Sequence, residues 1–296
     1  MINFTFLTEL HTMKKLFYLI LSTILLLIPD SIAAQTAKSL FWRSDSLQVA
    51  EIVSETGDQY RKVGHHGPAV ENSHMALRIY FNDSGAIDLY SKSGRGMELE
   101  SYLWYPSAEL RDNADAGWDA YIVGKTVGFG GIALWDGEKE VKLTATKGRT
   151  ARVGDSKRGS FAEVIAYGVE YCGDFVDISI RIDVSAKDRD AVLTATELSG
   201  KKVQFLTGVN YHSGQKVTYG EGYISVWGTH PAKELSMPVG AGIKFSAKDF
   251  PVVEKTQDMV RIISKPEDQV KTTLVGASVI EAELNSAKRF ETYMTK

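Results

Sequence analysis

The fold is decided by the stretch Val176-Asp177-Ile178-Ser179-Ile180-Arg181-Ile182-Asp183-Val184. Aliphatic and polar residues alternate here, so an extended chain places all the aliphatic side chains on one face. A strand with one buried face and one wet face is typical of antiparallel sheets. The stretch therefore predicts a sheet that covers a core on one side.

Similar short runs recur along the chain, with little helical periodicity between them. They cover residues 47–54, 76–81, 86–90, 98–104, 131–135, 140–145, 162–167, 192–198, 203–209, 223–227, 259–263 and 272–280. Asp136-Gly137 predicts a hairpin turn, and Asn285 predicts the cap of one short helix over 286–292, with Phe290 and Tyr293 on its buried side. Many strands with few helices predict an all-β fold, a large antiparallel β-sandwich of the ordinary or the mutarotase-like supersandwich kind.

The composition narrows the class of protein. The chain has 296 residues, of which 44% are hydrophobic, 10% aromatic and 24% charged, so it can bury a large core and is not of the disordered type. Its 34 Lys and Arg against 37 Asp and Glu give a net charge of −3. This balance excludes the basic footprint of a nucleic-acid-binding protein.

The N-terminus has the layout of a secretory signal peptide. Lys14 and Lys15 precede an apolar run over 16–28 that is too short for a membrane span, and Ala33 and Ala34 follow it. We therefore predict a signal peptide over 1–34 and a single β-sandwich catalytic domain over 35–296. Export to the periplasm is the first expectation and full secretion the second, with no membrane span after cleavage.

Metal and disulfide chemistry have no support in the sequence. Cys172 is the single cysteine, which excludes an internal disulfide, and neither CxxC nor HExxH occurs. We predict no metal and no cofactor.

Histidines in turns and at strand ends are the first candidates for proton transfer near neutral pH. His65 and His66 lie in a loop rich in glycine, where one is expected to face a cleft and the other to bond a neighbour. His212 and His230 follow apparent strands. For each, a hydrogen-bonded structural role is the alternative.

Arg78 lies in a mostly apolar strand and shares a face with Tyr80. This pair could hold a sugar carboxylate, but a salt bridge from Arg78 to Asp88 on the next strand explains it equally well. Residues 106–124 predict a long surface loop, in which Trp118 and Tyr121 could stack on sugar rings. Trp104 and Tyr105 flank that loop and could stack on sugar rings as well, with core packing as the alternative for Trp104 especially.

The loop and its following strands resemble a secreted bacterial family of unknown function from polysaccharide-utilisation loci. The resemblance rests on Gly64-His65-His66-Gly67-Pro68-Ala69-Val70-Glu71-Asn72, Arg78-Ile79-Tyr80-Phe81, Leu134-Trp135-Asp136-Gly137, Thr207-Gly208-Val209-Asn210-Tyr211-His212 and Trp227-Gly228-Thr229-His230-Pro231. The family includes oligosaccharide dehydratases that act in the breakdown of ulvan. The resemblance implies a carbon–oxygen lyase that removes water from a saturated non-reducing-end uronic acid to give a 4,5-unsaturated sugar.

For such a reaction, His212 is the first candidate base, and His230 or Tyr211 the candidate acid. Arg78, or a protonated histidine with Asn72, is the candidate that neutralises the carboxylate. The full set of candidates is catalytic His65, His66, Tyr211, His212 and His230, and substrate-binding Asn72, Arg78, Tyr80, Trp118 and Tyr121. The expected partner is an oligosaccharide that contains uronic acid.

Three other functions stay open at this stage. A polysaccharide lyase runs the same elimination with a sugar as the leaving group. A non-catalytic carbohydrate-binding sandwich needs aromatic and polar groups but no proton transfer. The third is a sugar mutarotase or a hydrolase. Hydrolysis requires two facing carboxylates. Candidates for these are Glu71, Asp119 and Glu221, and no spacing favours any pair of them.

Overall fold

The alternating stretch over residues 176–184 lies inside a broad antiparallel sheet. The computed structural model describes residues 35–55, 58–94, 96–113, 115–231 and 236–296, so the predicted signal peptide lies outside the described residues. The strands are β1 (Ala37–Ser39), β2 (Glu51–Ser54), β3 (Ala69–Glu71), β4 (Met75–Ile79), β5 (Ile87–Ser91), β6 (Phe129–Trp135), β7 (Glu140–Val141), β8 (Arg149–Asp155), β9 (Gly159–Tyr171), β10 (Asp174–Ser185), β11 (Ala191–Glu197), β12 (Val203–Asn210), β13 (Lys216–Gly220), β14 (Tyr223–Thr229), β15 (Pro238–Phe245), β16 (Val252–Lys255), β17 (Met259–Glu267) and β18 (Gln269–Ser278). The helices are α1 (Leu99–Tyr102), α2 (Ala108–Asp112) and α3 (Ala287–Met294), and Gly64–His66 form one 3₁₀ turn.

The strands form three sheets. A nine-stranded sheet has the order β13-β14-β15-β18-β11-β10-β9-β8-β2, a five-stranded sheet the order β16-β17-β12-β6-β7, and a four-stranded sheet the order β1-β3-β4-β5. The strand pairs within these sheets are antiparallel. The prediction of an all-β antiparallel sandwich is therefore confirmed.

The two smaller sheets together cover one face of the large sheet. One continuous core contains Ile178 and Ile180 of β10, Leu77 of β4 and Phe205 of β12, all fully buried. The two small sheets meet where Ile87 pairs with Gly128 just before β6. We call this junction the seam. Burial of each large aliphatic side chain stabilises the fold by about 1.5–3 kcal/mol.

The predicted strand over 98–104 is wrong, because this segment forms helix α1. The backbone N–H groups of Glu98 and Leu99 donate to the Glu71 carboxylate, at 2.8 and 2.9 Å. Glu71 is fully buried and also pairs with Lys92 at 2.5 Å. A buried carboxylate thus satisfies the free N–H groups that begin the helix.

The expected surface loop over 106–124 also differs from the structure. Residues Ala108–Asp112 form α2, and Trp118 exchanges backbone hydrogen bonds with Ser91, at 3.0 and 3.2 Å. Ala120, Tyr121 and Val123 are buried. We call residues 115–124 the inner loop, since much of it packs into the core.

The predicted C-terminal helix is present, with its cap one residue later. Ser286, not Asn285, is the N-cap, and its hydroxyl accepts from the Arg289 N–H. Phe290 is buried as expected, and Tyr293 is half-buried. Within the described part of the chain, none of the helices combines the length and apolar character that membrane crossing requires.

Candidate functional site

The register of β4 and β5 places Arg78 directly opposite Asp88. Both side chains are buried, and the Arg78 Nε and Nη2 atoms donate to Asp88 Oδ2 at 3.0 and 2.5 Å. The Tyr80 hydroxyl donates to the same oxygen at 2.7 Å. Burial opposes the Arg78 charge, but Asp88 and Asp119 outweigh it and raise the pKa of Arg78 well above its ordinary value. The salt bridge considered in the sequence analysis is therefore present.

The inner loop adds a second carboxylate to this ion pair. Arg78 Nη2 also donates to Asp119 Oδ2 at 2.9 Å, and about 25% of the Asp119 side chain stays exposed. Burial, followed by the nearby Asp88 charge, raises the pKa of Asp119 to about 7, against the opposing effect of Arg78. The nearby Trp104 indole also lowers the pKa of Asp119. The indole Nε1 and Asp119 Oδ1 are both buried, and neither completes a hydrogen bond. Asp119 can therefore exchange a proton near neutral pH.

A tyrosine–histidine pair lies on the other side of Arg78. His66 Nδ1 contacts the Tyr60 carbonyl at 2.8 Å, so it carries the proton and leaves Nε2 as an acceptor. Nε2 lies 3.2 Å from the Tyr105 hydroxyl, which also accepts from Arg78 Nη1 at 3.2 Å. Burial, helped by Arg78 and Arg43, lowers the pKa of His66. A neutral imidazole thus contacts an exposed phenol.

We call Arg78, Asp88, Asp119, His66 and Tyr105 the arginine cluster. Each nitrogen of the Arg78 guanidinium contacts a protein group. A bidentate contact between Arg78 and a sugar carboxylate, as expected from the sequence, would have to displace one of them. Arg78 instead lies between Tyr105 and Asp119 and holds both in place.

Backbone strain is concentrated around this cluster. His65 and His66 have φ of 54° and 64°, and Leu103 and Trp104 have φ of 46° and 77°. Consecutive non-glycine residues in the left-handed region cost about 1–2 kcal/mol each, and such strain clusters at functional sites. The first pair turns His66 toward Arg78, while the second leads directly into Tyr105.

His65 and His66 face different environments, as the sequence analysis expected for adjacent histidines. The ring of His65 is buried edge-on to Phe41, and its Nε2 lies 2.9 Å from the Ser39 hydroxyl. Burial, followed by Arg78, lowers the pKa of His65 to about 3. His65 is thus neutral and buried, although it forms part of the lining of the neighbouring cleft, whereas His66 contacts Tyr105.

Tyr105 of the arginine cluster lines a cleft of about 260 Å³, together with Gly64 and His65. Leu103 and Tyr105 line it with exposed side chains, which offers an apolar surface to a sugar ring. Arg43 also lines it, with Nη2 3.4 Å from the His66 ring. Among the described residues Arg43 forms no ion pair, and its Nε donates only to the Val63 carbonyl. A cation without a carboxylate partner therefore faces the cleft.

The other two candidate histidines form a separate group around the inner loop. The rings of His212 and His230 pack at 4.8 Å, and His230 packs on Tyr121 at 4.4 Å. His230 Nδ1 accepts the Ile122 N–H at 3.1 Å, while burial, followed by His212, lowers the pKa of His230 to about 3. The Tyr121 hydroxyl donates to Asn210 at 2.6 Å. His230 and Tyr121 are buried, so neither is open to a substrate; His212 is half-buried.

The remaining candidates lie away from the cleft. Asn72 is fully buried and contacts four backbone groups, of Asp188, Arg189, His74 and Met75. The Tyr211 hydroxyl donates to the Thr256 carbonyl. Trp118 is half-buried against the core. The structure therefore brings together Arg78, Tyr80 and His66 of the predicted set, and it does not place Asn72 or Tyr211 with them.

Three residues of the site escaped the sequence analysis. Asp119 was considered only for hydrolysis, Tyr105 only for stacking on a sugar ring, and Arg43 not at all. The contacts that unite these residues with the site join positions from 23 to 41 apart in sequence, so no local pattern indicates them.

A larger cavity of about 520 Å³ lies elsewhere, near the turn between β9 and β10. Asp136, Lys139, Glu170 and Cys172 line it. The charged residues of this lining are of both signs. The arginine cluster instead combines strained backbone, a carboxyl group with a raised pKa and a histidine–tyrosine pair that can transfer a proton. We therefore take it as the candidate site. Among the described residues no group of three or more His, Cys, Asp and Glu could hold a metal ion.

Comparisons with known proteins identify the family. No curated protein matches the chain. Among solved structures, the crystal structure of 4-alpha-glucanotransferase from Thermococcus litoralis is similar, with 10% identity, a TM-score of 0.35 and 78% of this chain covered. The chain spans 42% of that enzyme's chain, and a likeness this low carries no argument. A family model described as a domain of unknown function, DUF4861, matches residues 32–296. Because this match extends over all three sheets and the arginine cluster, the chain belongs to the DUF4861 family.

Proposed function

We propose that the protein is a carbohydrate-active carbon–oxygen lyase that removes water from a saturated uronic acid at the non-reducing end of ulvan-type oligosaccharides. The observation that carries the proposal is the placement of a proton acceptor and a proton donor on opposite ends of one buried guanidinium. His66 with Tyr105 is the acceptor, and Asp119 is the donor. The resemblance described in the sequence analysis supplies the substrate class.

Tyr105 and His66 act together as the base that removes the C5 proton. The Tyr105 oxygen takes the proton from C5 of the sugar as its own proton passes to His66 Nε2. The Arg78 N–H that contacts the phenol stabilises negative charge on that oxygen during the transfer. The electron pair of the C5–H bond becomes the C4=C5 double bond.

Asp119 acts as the general acid that protonates the leaving hydroxyl. As the C4–O bond breaks, Asp119 donates its proton to the departing hydroxyl, which leaves as water. A carboxyl with a pKa of about 7 is protonated in a large share of molecules at neutral pH, whereas an ordinary aspartate is not. The elimination is redox-neutral, since one proton leaves C5 and one joins the leaving oxygen.

Arg43 is our candidate for the group that binds the uronate. Loss of the C5 proton builds negative charge on the adjacent carboxylate, and a cation beside that carboxylate stabilises the charge. Arg43 is exposed, lines the cleft and forms no ion pair among the described residues. Leu103 provides an apolar surface beside it.

Hydrolysis is less well supported by the same geometry. A glycosidase needs two carboxyl groups that both reach the sugar. Asp88 is 1% exposed and accepts three side-chain hydrogen bonds from Arg78 and Tyr80. Asp119, with about 25% of its side chain exposed, is then the more accessible of the two cluster carboxylates.

The test is incubation of the purified protein with ulvan oligosaccharides that end in saturated glucuronate. We expect ultraviolet absorbance from the conjugated double bond and a product lighter by one water in the mass spectrum. Two fragments whose masses sum to the substrate would identify a polysaccharide lyase instead. Binding without any mass change would identify a carbohydrate-binding module, and a gain of water would identify a hydrolase.

Matched variants connect the activity to the site. Tyr105→Phe removes one oxygen from the cleft, whereas Tyr219→Phe removes one from a similarly exposed tyrosine on β13. We expect the first variant to lose activity by about 10²–10⁴-fold and the second to keep it. Equal activity of both variants would exclude Tyr105 from the reaction.

A further inference from the structure

The segment that follows Asp119 is held by side chains from two other sheets. His230, which follows β14 of the nine-stranded sheet, accepts the Ile122 N–H at 3.1 Å. Asn210, at the end of β12 in the five-stranded sheet, donates to the Ile122 carbonyl at 2.8 Å and accepts from the Tyr121 hydroxyl at 2.6 Å. Both polar groups of the Ile122 backbone are thus bound by buried side chains.

The segment that precedes Asp119 is fixed to the four-stranded sheet. Trp118 exchanges two backbone hydrogen bonds with Ser91, the last residue of β5. A Cβ atom at Gly117 would lie 1.8 Å from the Ser91 carbonyl oxygen, so only glycine permits this close approach. Asp119 and Ala120 therefore form a two-residue span between fixed points on either side of the seam.

A short span between two fixed points defines where its side chain can lie. Asp119 Oδ2 lies 2.9 Å from Arg78 Nη2, within normal hydrogen-bond distance. Asp119 Oδ1 completes no hydrogen bond, although the Trp104 indole is close enough to lower the pKa of this carboxyl. Release of the Ile122 end would allow the carboxylate to turn toward water, against its contact with Arg78.

We infer that His230 and Asn210 are positioning residues, which hold the Asp119 carboxylate against Arg78 by fixing Tyr121 and Ile122. The expected effect on kcat rests on the proposed function. The expected effect on the position of the Asp119 carboxylate rests on the geometry alone. Neither residue contacts a substrate, since both are buried. The role also accounts for a neutral His230, because only an unprotonated Nδ1 can accept the Ile122 N–H.

The test compares His230→Asn with His230→Leu. The asparagine amide oxygen can lie near the position of Nδ1 and accept the Ile122 N–H, whereas leucine fills the space without an acceptor. We expect H230L to lower kcat by about 10²-fold with a smaller change in KM, because displacement of a catalytic group by about 1 Å has effects of that size. H230N should recover most of the loss.

Carbon-13 NMR of labelled aspartate carboxyls provides a readout that needs no substrate. The Asp119 resonance, assigned with D119N, should titrate near pH 7 in the parent and in H230N, and about one or more pH units lower in H230L, as the carboxylate gains water. This holds whatever reaction the protein catalyses, so failure of the proposed function and failure of the positioning role are distinguishable.

Two results would overturn the inference. The first is an unchanged Asp119 titration in H230L, and the second is an equal change in H230L and H230N, which would indicate packing alone. If H230L does not fold, Tyr121→Phe removes only the hydroxyl that contacts Asn210 and should shift the Asp119 titration in the same direction by a smaller amount. No shift in Y121F would then refute the role of Asn210.

Discussion

Replacing Asp119 by asparagine should stabilise the protein at alkaline pH while it removes the proposed acid. The pKa of Asp119 is raised from an ordinary 3.8 to about 7. Each unit corresponds to about 1.4 kcal/mol, so the whole shift corresponds to about 4 kcal/mol. Because about 25% of the side chain is exposed to water, which screens its interactions, we expect about 2 kcal/mol in practice.

The sign follows from proton linkage. The folded protein binds this proton more tightly than the unfolded chain, because the folded-state pKa is raised. The contribution of Asp119 to stability is therefore complete below about pH 4 and is lost as the pH rises through about 7. D119N carries a neutral amide at every pH and does not have this loss. The two proteins should differ little at about pH 4, and D119N should be the more stable at about pH 8.

Urea denaturation of both proteins at acidic and alkaline pH measures this difference. Asp136→Asn is the control, since the Asp136 carboxylate is exposed, accepts backbone hydrogen bonds and has a lowered pKa. D136N should gain no stability at alkaline pH. A D119N protein that is less stable than the parent at about pH 8 would refute the argument, because the Arg78 contact would then outweigh burial and the charge of Asp88.

Three further predictions concern the cleft and its support. In kinetic assays on the uronate substrate, the pH profile of kcat should fall above about pH 7, where Asp119 loses its proton; a rise there would contradict its role as the acid. Arg43→Ala should raise KM and lower kcat together, by about 10-fold or more, and a variant with parental values would show that another group binds the carboxylate. In urea denaturation, Lys92→Met should destabilise the fold by about 3–5 kcal/mol, since it leaves Glu71 buried without its cation; a change below about 1 kcal/mol would show that the backbone donors suffice.

The β-sandwich could be predicted from the sequence because the alternation of apolar and polar residues is a local property of each strand. β10 is the clearest example, since its alternation survives intact in the sheet. β15 was missed because its small residues do not alternate. Gly240 and Gly242 have no room for a Cβ atom, because Trp227 of β14 packs onto the first and Met294 of α3 onto the second, with Phe290 of α3 beside both. Their role depends on a helix some 50 residues away and has no local signature.

Helix α1 shows how a distant contact overrides local pattern. Residues 98–104 contain the alternating apolar residues of a strand. The Glu71 carboxylate nevertheless binds the N–H groups of Glu98 and Leu99, which favours a helix start over a strand. This contact spans 27 or more positions and can be recognised only after β3 has been placed.

The sequence could predict only those contacts of the candidate site that follow from the pairing of neighbouring strands. Arg78, Tyr80 and Asp88 lie on neighbouring strands, so parity and pairing indicate their contact. Asp119 depends on the return of the inner loop to Ser91, and Tyr105 on two left-handed residues that no pattern predicts. His212 and His230 pack against each other, apart from His65 and His66, and His230 is buried because the inner loop contacts it.

The position of the inner loop at the seam has a consequence for the order of folding. Its contacts reach β5, β12 and the segment after β14, which belong to three different sheets. Contacts between residues far apart in sequence form slowly, because the chain must first close long loops. The Asp119 contact to Arg78 is therefore expected among the last to form, after each sheet has assembled. In a refolding experiment, recovery of the proposed activity should lag behind recovery of strand content, so that activity reports completion of the fold rather than its beginning.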